Sequence, residues 1–231
     1  MSYSNGPKIV TSNLLICLDA RNPKSNRGAG AIWADISGNN KHGTINGVGY
    51  SSSAQFGNTF EFDGVNDTVS FGTGEVIFPM NNFSIEIVFR SFGTVPTTGT
   101  APALFGVTYG LNSYVNTTNL SFNAHDGVNA NIATNTNDNV NYQDGRWYHA
   151  TYTVSPSRIE IYVNGIYKNG ANGTWNGTTV WATNTFNIGR GNNNNNYFFY
   201  GQIPLFKIYN KTLTRDEILT NFNAIRGRYG I

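Results

Sequence analysis

The chain has 231 residues, room for one large all-β domain or two small ones and for a sizeable core. Only 12% of residues are charged, against roughly 25% in an average soluble domain, and glycine, with 26 copies, and asparagine make up the difference. With 15 Lys plus Arg against 13 Asp plus Glu, the net charge of +2 supplies no field to draw the chain to nucleic acid or to an anionic membrane, and Cys17, the lone cysteine, excludes an intrachain disulfide.

The start, MSYSNGPKIV, lacks a charged segment followed by an apolar one, so no export signal is read. Apolar runs such as Leu14 to Leu18 stop far short of the roughly 20 residues of a membrane span. Residues 1–12 are polar around Gly6-Pro7 and are expected to form a leader, an anchoring arm that orders on a partner. Residues 13–231 show no linker and are expected to form one domain. Without a signal peptide or paired cysteines, the chain suits folding in a reducing cytoplasm.

Short runs of alternating apolar and polar residues predict strands at Leu14 to Leu18, Thr59 to Phe62, Thr68 to Phe71, Phe83 to Phe89, Trp147 to Val154, Arg158 to Val163, Thr185 to Ile188 and Gln202 to Tyr209. Phe83, Ile85, Ile87 and Phe89 share one face, and Ser84 and Glu86 fall on the other, which is expected to be wet. Asn164-Gly165 predicts a type I′ hairpin turn. Thr214 and Glu217 form a capping box ahead of Ile218, Leu219 and Phe222, which predicts one short C-terminal helix.

Several segments, in this order, resemble the laminin-G-like, concanavalin A-like jelly roll. Phe62-Asp63-Gly64-Val65-Asn66-Asp67 is similar to the family's F-D-G-x-x-D turn, Phe83 to Phe89 to the strand that follows, and Trp147-Tyr148-His149-Ala150 to its W-x-H-x-A strand. Ile161-Tyr162-Val163-Asn164-Gly165 resembles its hairpin, Ile188-Gly189 its I-G strand end, and Gly201-Gln202-Ile203 with Ile208-Tyr209-Asn210 and Leu213 to Ile218 its close. The resemblance implies an all-β, two-sheet antiparallel sandwich and, commonly, recognition of glycans or proteins, without fixing an activity. The N-terminal stretches Ser4 to Thr11, Leu18-Asp19-Ala20, Asn22 to Ser25 and Trp33 to Asn39 are similar to virion-associated proteins of tailed bacteriophages carrying this jelly roll.

Jelly-roll glucanases carry three aligned carboxylates on one strand. Here Glu61 and Asp63 share a side, but Val65 and Asn66 stand where the third acid would be. Asp63 reads as a turn former, and a glycosidase pair would need Glu61 with Asp63, Glu86 or Glu160. No catalytic residue is therefore assigned. Calcium would need six to eight oxygens; Asn137-Asp138-Asn139 and Asp63 to Asp67 offer a few. The loop where related pentraxins place calcium acids reads Arg190-Gly191 and then asparagine from 192 to 196, so no metal site is assigned and no cofactor is called. His42, His125 and His149 have no zinc spacing, and His149 reads as a sheet-surface residue that bonds a neighbour. Cys17 reads as a small buried hydrophobe. Lys207, Lys211, Arg215, Arg226 and Arg228 make the C-terminal segment basic, which reads as a solvated face.

Sugars reward flat rings beside uncharged amides and hydroxyls. The candidate ligand residues are Trp175, Trp181, Asn194, Tyr197 and Phe198 in the stretch 172–200, with Tyr109 and Tyr114 in a second Gly- and Asn-rich stretch. Residue by residue, each aromatic of the stretch 172–200 reads more readily as core than as an exposed platform, and at least one of the five, Trp175, Trp181, Tyr197, Phe198 and Phe199, is expected to be exposed. The expectation is a non-catalytic virion protein, folded in the host cytoplasm and acting in adhesion to a bacterial surface glycan or as capsid or tail decoration. Its partners would be capsid, tail or fibre proteins, with neither nucleic acid nor membrane, and several copies per particle would supply avidity. A purely architectural protein that binds no sugar is the alternative, and a glycosidase ranks last.

Overall fold

Alternation along the chain builds two antiparallel sheets, face to face. The computed structural model describes residues 8–26, 28, 30–72, 81–95, 101–107, 110–125, 131–175, 185–191 and 197–231. In chain order the strands are β1 (Leu14–Asp19), β2 (Ile32–Trp33), β3 (Gly43–Asn46), β4 (Gly49–Ser53), β5 (Gly57–Asp63), β6 (Thr68–Phe71), β7 (Phe83–Ser91) and β8 (Ala103–Gly106). They continue as β9 (Leu111–Val115), β10 (Leu120–His125), β11 (Asn131–Asn135), β12 (Tyr148–Ser155), β13 (Arg158–Val163), β14 (Ile166–Asn172), β15 (Phe186–Ile188) and β16 (Tyr200–Tyr209), and the chain closes with helix α1 (Arg215–Tyr229).

One sheet runs β14-β13-β12-β7-β16-β5-β4, with β1 also on β16; the other runs β11-β10-β9-β8-β15-β6-β3-β2. Strand β16 changes partner partway. Tyr200 to Ile203 pair with β5, and Leu205 to Tyr209 pair with β1. Pro204, which has no N–H to give to a ladder, sits at the handover, and its carbonyl accepts the Ala20 amide at 2.8 Å. Between the sheets, Phe62, Phe83, Ile85, Phe89, Phe105, Phe122, Tyr152 and Phe206 join a continuous core of fully buried side chains. Its rings meet edge-on or tilted, as Phe105 and Tyr152 do at 5.2 Å.

Each of the eight expected strands is present, and the expected turn and helix form as read. Asn164 and Gly165 take φ values of 50° and 75° between β13 and β14. Thr214 caps α1 through the Glu217 amide, the Glu217 side chain returns to the Thr214 amide, and Gly230 closes the helix in a left-handed conformation. The expectation of a wet outer face on β7 is overturned. Ser84 and Glu86 are fully buried: Lys211 and Leu213 bond the Ser84 hydroxyl, and α1 lies over Glu86 with Ile218, Asn221, Phe222, Ile225 and Tyr229 turned inward.

Charges are sealed under this helix. Glu86 accepts from Lys207 Nζ at 3.0 Å and from Asn221 Nδ2 at 2.9 Å, and Asn221 Nδ2 also reaches the Tyr209 hydroxyl at 3.0 Å. Asn221 Oδ1 accepts the Val10 amide, and the Tyr209 hydroxyl donates to the Val10 carbonyl. Ile9 packs beside the helix as well. The part of the leader from Ile9 to Ser12 is thus docked on the domain, Lys8 is exposed, and the rest of the expected arm, 1–7, lies outside the described residues. The basic C-terminal residues are engaged within the chain: Lys207 is buried, Arg228 grips the Asp19 carboxylate with both terminal nitrogens, and Arg215 lies 5.1 Å over the Tyr167 ring.

Candidate functional site

The outer face of the second sheet carries no helix among the described residues. None of its eight strands contains Asp, Glu, Lys or Arg. Strand registry sets Thr44, Ser70, Asn187, Gly106, Asn112, Asn123 and Ala133 side by side across the sheet. A neighbouring row contains Ala103, Tyr114, Ser121 and Asn135. These side chains point outward because their alternates, Val69, Phe105, Leu111, Ser113 and Phe122, point into the sandwich.

At the centre of this face two expected residues come together. Tyr114 and Tyr197, both half-buried, meet edge to face with ring centroids 5.3 Å apart. Gly191 makes room for the pair, since a Cβ there would stand 3.1 Å from the Tyr114 ring and 3.2 Å from Tyr197 Cβ. Gly106 is equally constrained: a Cβ would collide with Asn112 Oδ1 and lie 2.8 Å from the Gly191 backbone. Asn112 Oδ1 is buried and accepts no hydrogen bond among the described residues, an arrangement that costs energy.

The other expected residues fall elsewhere. Trp175 is corrected: it is 2% exposed and packs edge-on against Phe83 at 6.1 Å, so its face is committed to the core. Phe198 is nearly buried, with the Arg190 guanidinium 5.2 Å over its ring. Tyr109, Trp181 and Asn194 lie outside the described residues. Sequence reasoning missed Asn112, Ser121 and Asn123. Their signal was the alternation of LNSYV and LSFNAH, with an uncharged polar residue at every outward position.

The acids divide by environment. Glu86 is sealed beneath α1, and Glu160 bonds Arg158 at 2.9 Å and the Tyr162 hydroxyl at 2.8 Å. Glu61 and Asp63 share one cavity, but Glu61 accepts from Gln202 at 2.7 Å and Asp63 Oδ1 caps its own turn through the Val65 amide. Asp138 accepts from Tyr142 at 2.6 Å, Thr136 at 2.7 Å and Lys168 at 2.9 Å. Burial alone would raise the Asp138 carboxyl, yet these donors hold it below the usual carboxylate range. Among the described residues no group of three His, Cys, Asp or Glu side chains gathers as a metal site.

His149 lies on the sheet surface, but beneath α1. Its ring stacks on Phe222 at 5.9 Å, and neither ring nitrogen makes a hydrogen bond among the described residues. Cys17 is buried, and burial pushes its thiol up to about 11, so it carries no thiolate at neutral pH.

The two-sheet sandwich and its close agree with the family match. A family model described as concanavalin A-like lectin/glucanases superfamily matches residues 62–219, and the chain belongs to that superfamily. No curated protein matches the chain in sequence. Among solved structures, the binding domain of Paraclostridial Mosquitocidal Protein 1 is similar over 91% of this chain and 52% of its own, with 19% identity and a TM-score of 0.68. Domain 4 of AbnA, a GH43 extracellular arabinanase from Geobacillus stearothermophilus in complex with arabinotriose, is similar over 92% of this chain and 98% of its own, with 19% identity and a TM-score of 0.64. The botulinum neurotoxin serotype D ligand-binding domain in complex with N-acetylneuraminic acid is similar over 92% and 51%, with 15% identity and a TM-score of 0.65. The chain spans about half the length of these toxin domains. At such identities the likeness speaks for the fold alone.

Proposed function

We propose that this chain is a non-catalytic binding module that holds a neutral glycan on the outer face of its charge-free sheet. The observation that carries the reading is the half-buried Tyr114–Tyr197 pair on a sheet whose strands contain no Asp, Glu, Lys or Arg. A tyrosine ring supplies apolar contact to a pyranose face, and the half-buried Asn112, Ser121 and Asn123 side chains supply neutral hydrogen-bond partners for its hydroxyls. Charged side chains would be desolvated by such a ligand with nothing to pair against. The solved complexes of similar fold with arabinotriose and N-acetylneuraminic acid support a sugar as the ligand class. The finer part of the proposal is display in many copies on a tailed-phage particle, where avidity offsets a weak single site. Its support is the N-terminal resemblance and the docking of Ile9 to Ser12 on the helix side, the side opposite the charge-free sheet.

A glycan array probed with the purified chain tests the reading. A defined neutral-oligosaccharide signal is expected, unchanged by EDTA and by salt between 50 and 500 mM, and lowered about tenfold or more by Tyr114→Ala and Tyr197→Ala. Silence from folded protein at high density would overturn it in favour of an architectural role, and an EDTA-sensitive signal would require a cation at the site.

A further inference from the structure

The cavity that Glu61 and Asp63 share, about 490 Å³, opens at one end of the sandwich, where the β3–β4 and β5–β6 turns meet the start of β16. Tyr50, Ser51, Glu61, Asp63, Asp67 and Tyr200 line it, and its volume falls in the range of small-ligand sites. Tyr50 is 43% exposed, and its ring is braced edge-on by Phe60 at 6.3 Å. Tyr200 is braced in the same manner by Phe92 at 5.5 Å. Two supported rings therefore border a space that no described side chain fills.

The polar lining has one sign. Among the described residues, Glu61, Asp63 and Asp67 make no ion pair, although the chain carries more cationic than anionic side chains. Asp67 is only 4% exposed: Oδ2 accepts the Asp63 amide at 2.9 Å, while Oδ1 accepts no hydrogen bond among the described residues. Gly47, at φ +77°, leaves the approach to that oxygen bare, because a Cβ there would collide with Asp67 Oδ1. Burial, with the neighbouring Asp63 charge, raises the Asp67 carboxyl above its ordinary range, against the opposing bond from the Asp63 amide. A cation entering the cavity would relieve that condition.

We propose that this cavity binds an amino sugar bearing a free amine, with the ammonium directed at Asp67 and Glu61 and the sugar ring against Tyr50. An ammonium satisfies the unfilled carboxylate oxygen and gains from the tyrosine faces. The hydroxyls of the same ring find acceptors in Asp63 and Ser51. An N-acetylated sugar has the same ring but no positive charge, so the site discriminates between the two by charge. This site differs from the charge-free sheet in residues and in ligand, and neither proposal depends on the other.

Isothermal titration of the full chain with glucosamine tetramer and with N-acetylglucosamine tetramer tests it. The glucosamine tetramer is expected to bind about tenfold or more tightly, with affinity falling as salt rises from 50 to 500 mM. Glu61→Gln, which keeps shape and removes charge, is expected to erase most of that preference, and Tyr50→Ala, at an exposed ring, to weaken binding several-fold with the melting temperature unchanged. Equal affinity for the two tetramers, absence of glucosamine binding at millimolar concentration, or a preference that survives Glu61→Gln would overturn the assignment. Neutral oligosaccharide binding scored with Tyr114→Ala reports on the sheet face separately.

Discussion

The two outer faces of this sandwich have opposite chemistry on one architecture. The helix-covered sheet carries Asp19, Glu61, Asp63, Glu86, Arg90, Arg158, Glu160, Lys168 and Lys207 along its strands. The facing sheet carries none of these residue types. Charge thus serves docking: Glu86, Lys207 and Asn221 fix where α1 and the Val10 segment sit, by directional bonds that a greasy interface would not impose. On the other sheet, which no helix covers among the described residues, the outward positions are mostly Asn, Ser and Thr, which stay soluble without holding salt bridges or counterions.

The largest test removes one member of the buried pair. Lys207→Ala leaves the Glu86 carboxylate buried with Asn221 as its remaining donor, and should lower stability by about 3–5 kcal/mol in urea denaturation. A loss under 1 kcal/mol would mean that the helix-side charges are ornamental and that the contrast between faces has no energetic content.

Next in size is a pH effect confined to the covered face. Burial, opposed by Glu86 and reinforced by Lys207, lowers His149 from the usual 6.5 to about 4. Between those values the unfolded chain binds a proton that the native chain refuses, so stability falls as the pH falls from about 6.5 toward 4. The slope is at most about 1.4 kcal/mol per pH unit. Denaturation midpoints of His149→Leu should vary less over that window than those of the parent chain, while changes common to both belong to the carboxylates. Parallel pH curves would place His149 in a solvated setting and break the reading of a dry helix interface.

The same contrast explains what could be read from the sequence. Strands such as Phe83 to Phe89 and Gln202 to Tyr209 announce themselves because core-facing aromatics and aliphatics alternate strongly, and the Asn164-Gly165 turn and the Thr214 cap are local chemistry that needs no tertiary knowledge. The short strands β3, β4 and β11 were silent, being made of GTIN, GYSSS and NIATN, where pairing to neighbours and not side-chain pattern makes the strand. Glu86 read as solvent-facing because a polar residue on an alternate position is wet unless something covers it, and the cover, α1, lies 129 or more residues downstream. Of the site, Tyr114 and Tyr197 were legible as aromatics in polar stretches, but only strand registry brings them together. Trp175 failed as a candidate since its flanking asparagines and glycines resemble a loop, while the ring itself turns inward onto Phe83.

A smaller effect checks that the helix is held by its docking more than by its own ends. Thr214→Ala removes one side of the capping box and should cost about 1 kcal/mol, well below the loss from Lys207→Ala. Helical circular dichroism should persist at 25 °C in this variant. Loss of the helix signal with the sheets intact would show that the cap, and not the network beneath, secures α1.

The smallest expected change in stability carries the sharpest functional contrast. Asn123 is half-buried on the charge-free face, between Asn112 and Ala133 in the registered row. If the fold required that face to be neutral, Asn123→Asp would destabilise by more than about 2 kcal/mol, as an unpaired charge does where water is excluded. If the neutrality serves a ligand, the carboxylate stays hydrated in the free protein, and stability should change by no more than about 0.5 kcal/mol. Binding of a neutral oligosaccharide would then strip that hydration, and affinity should fall about tenfold, with little recovery in high salt because the cost is desolvation and not long-range charge. An unchanged midpoint with unchanged affinity would move the ligand off this face altogether, leaving the charge-free sheet as a surface for another protein.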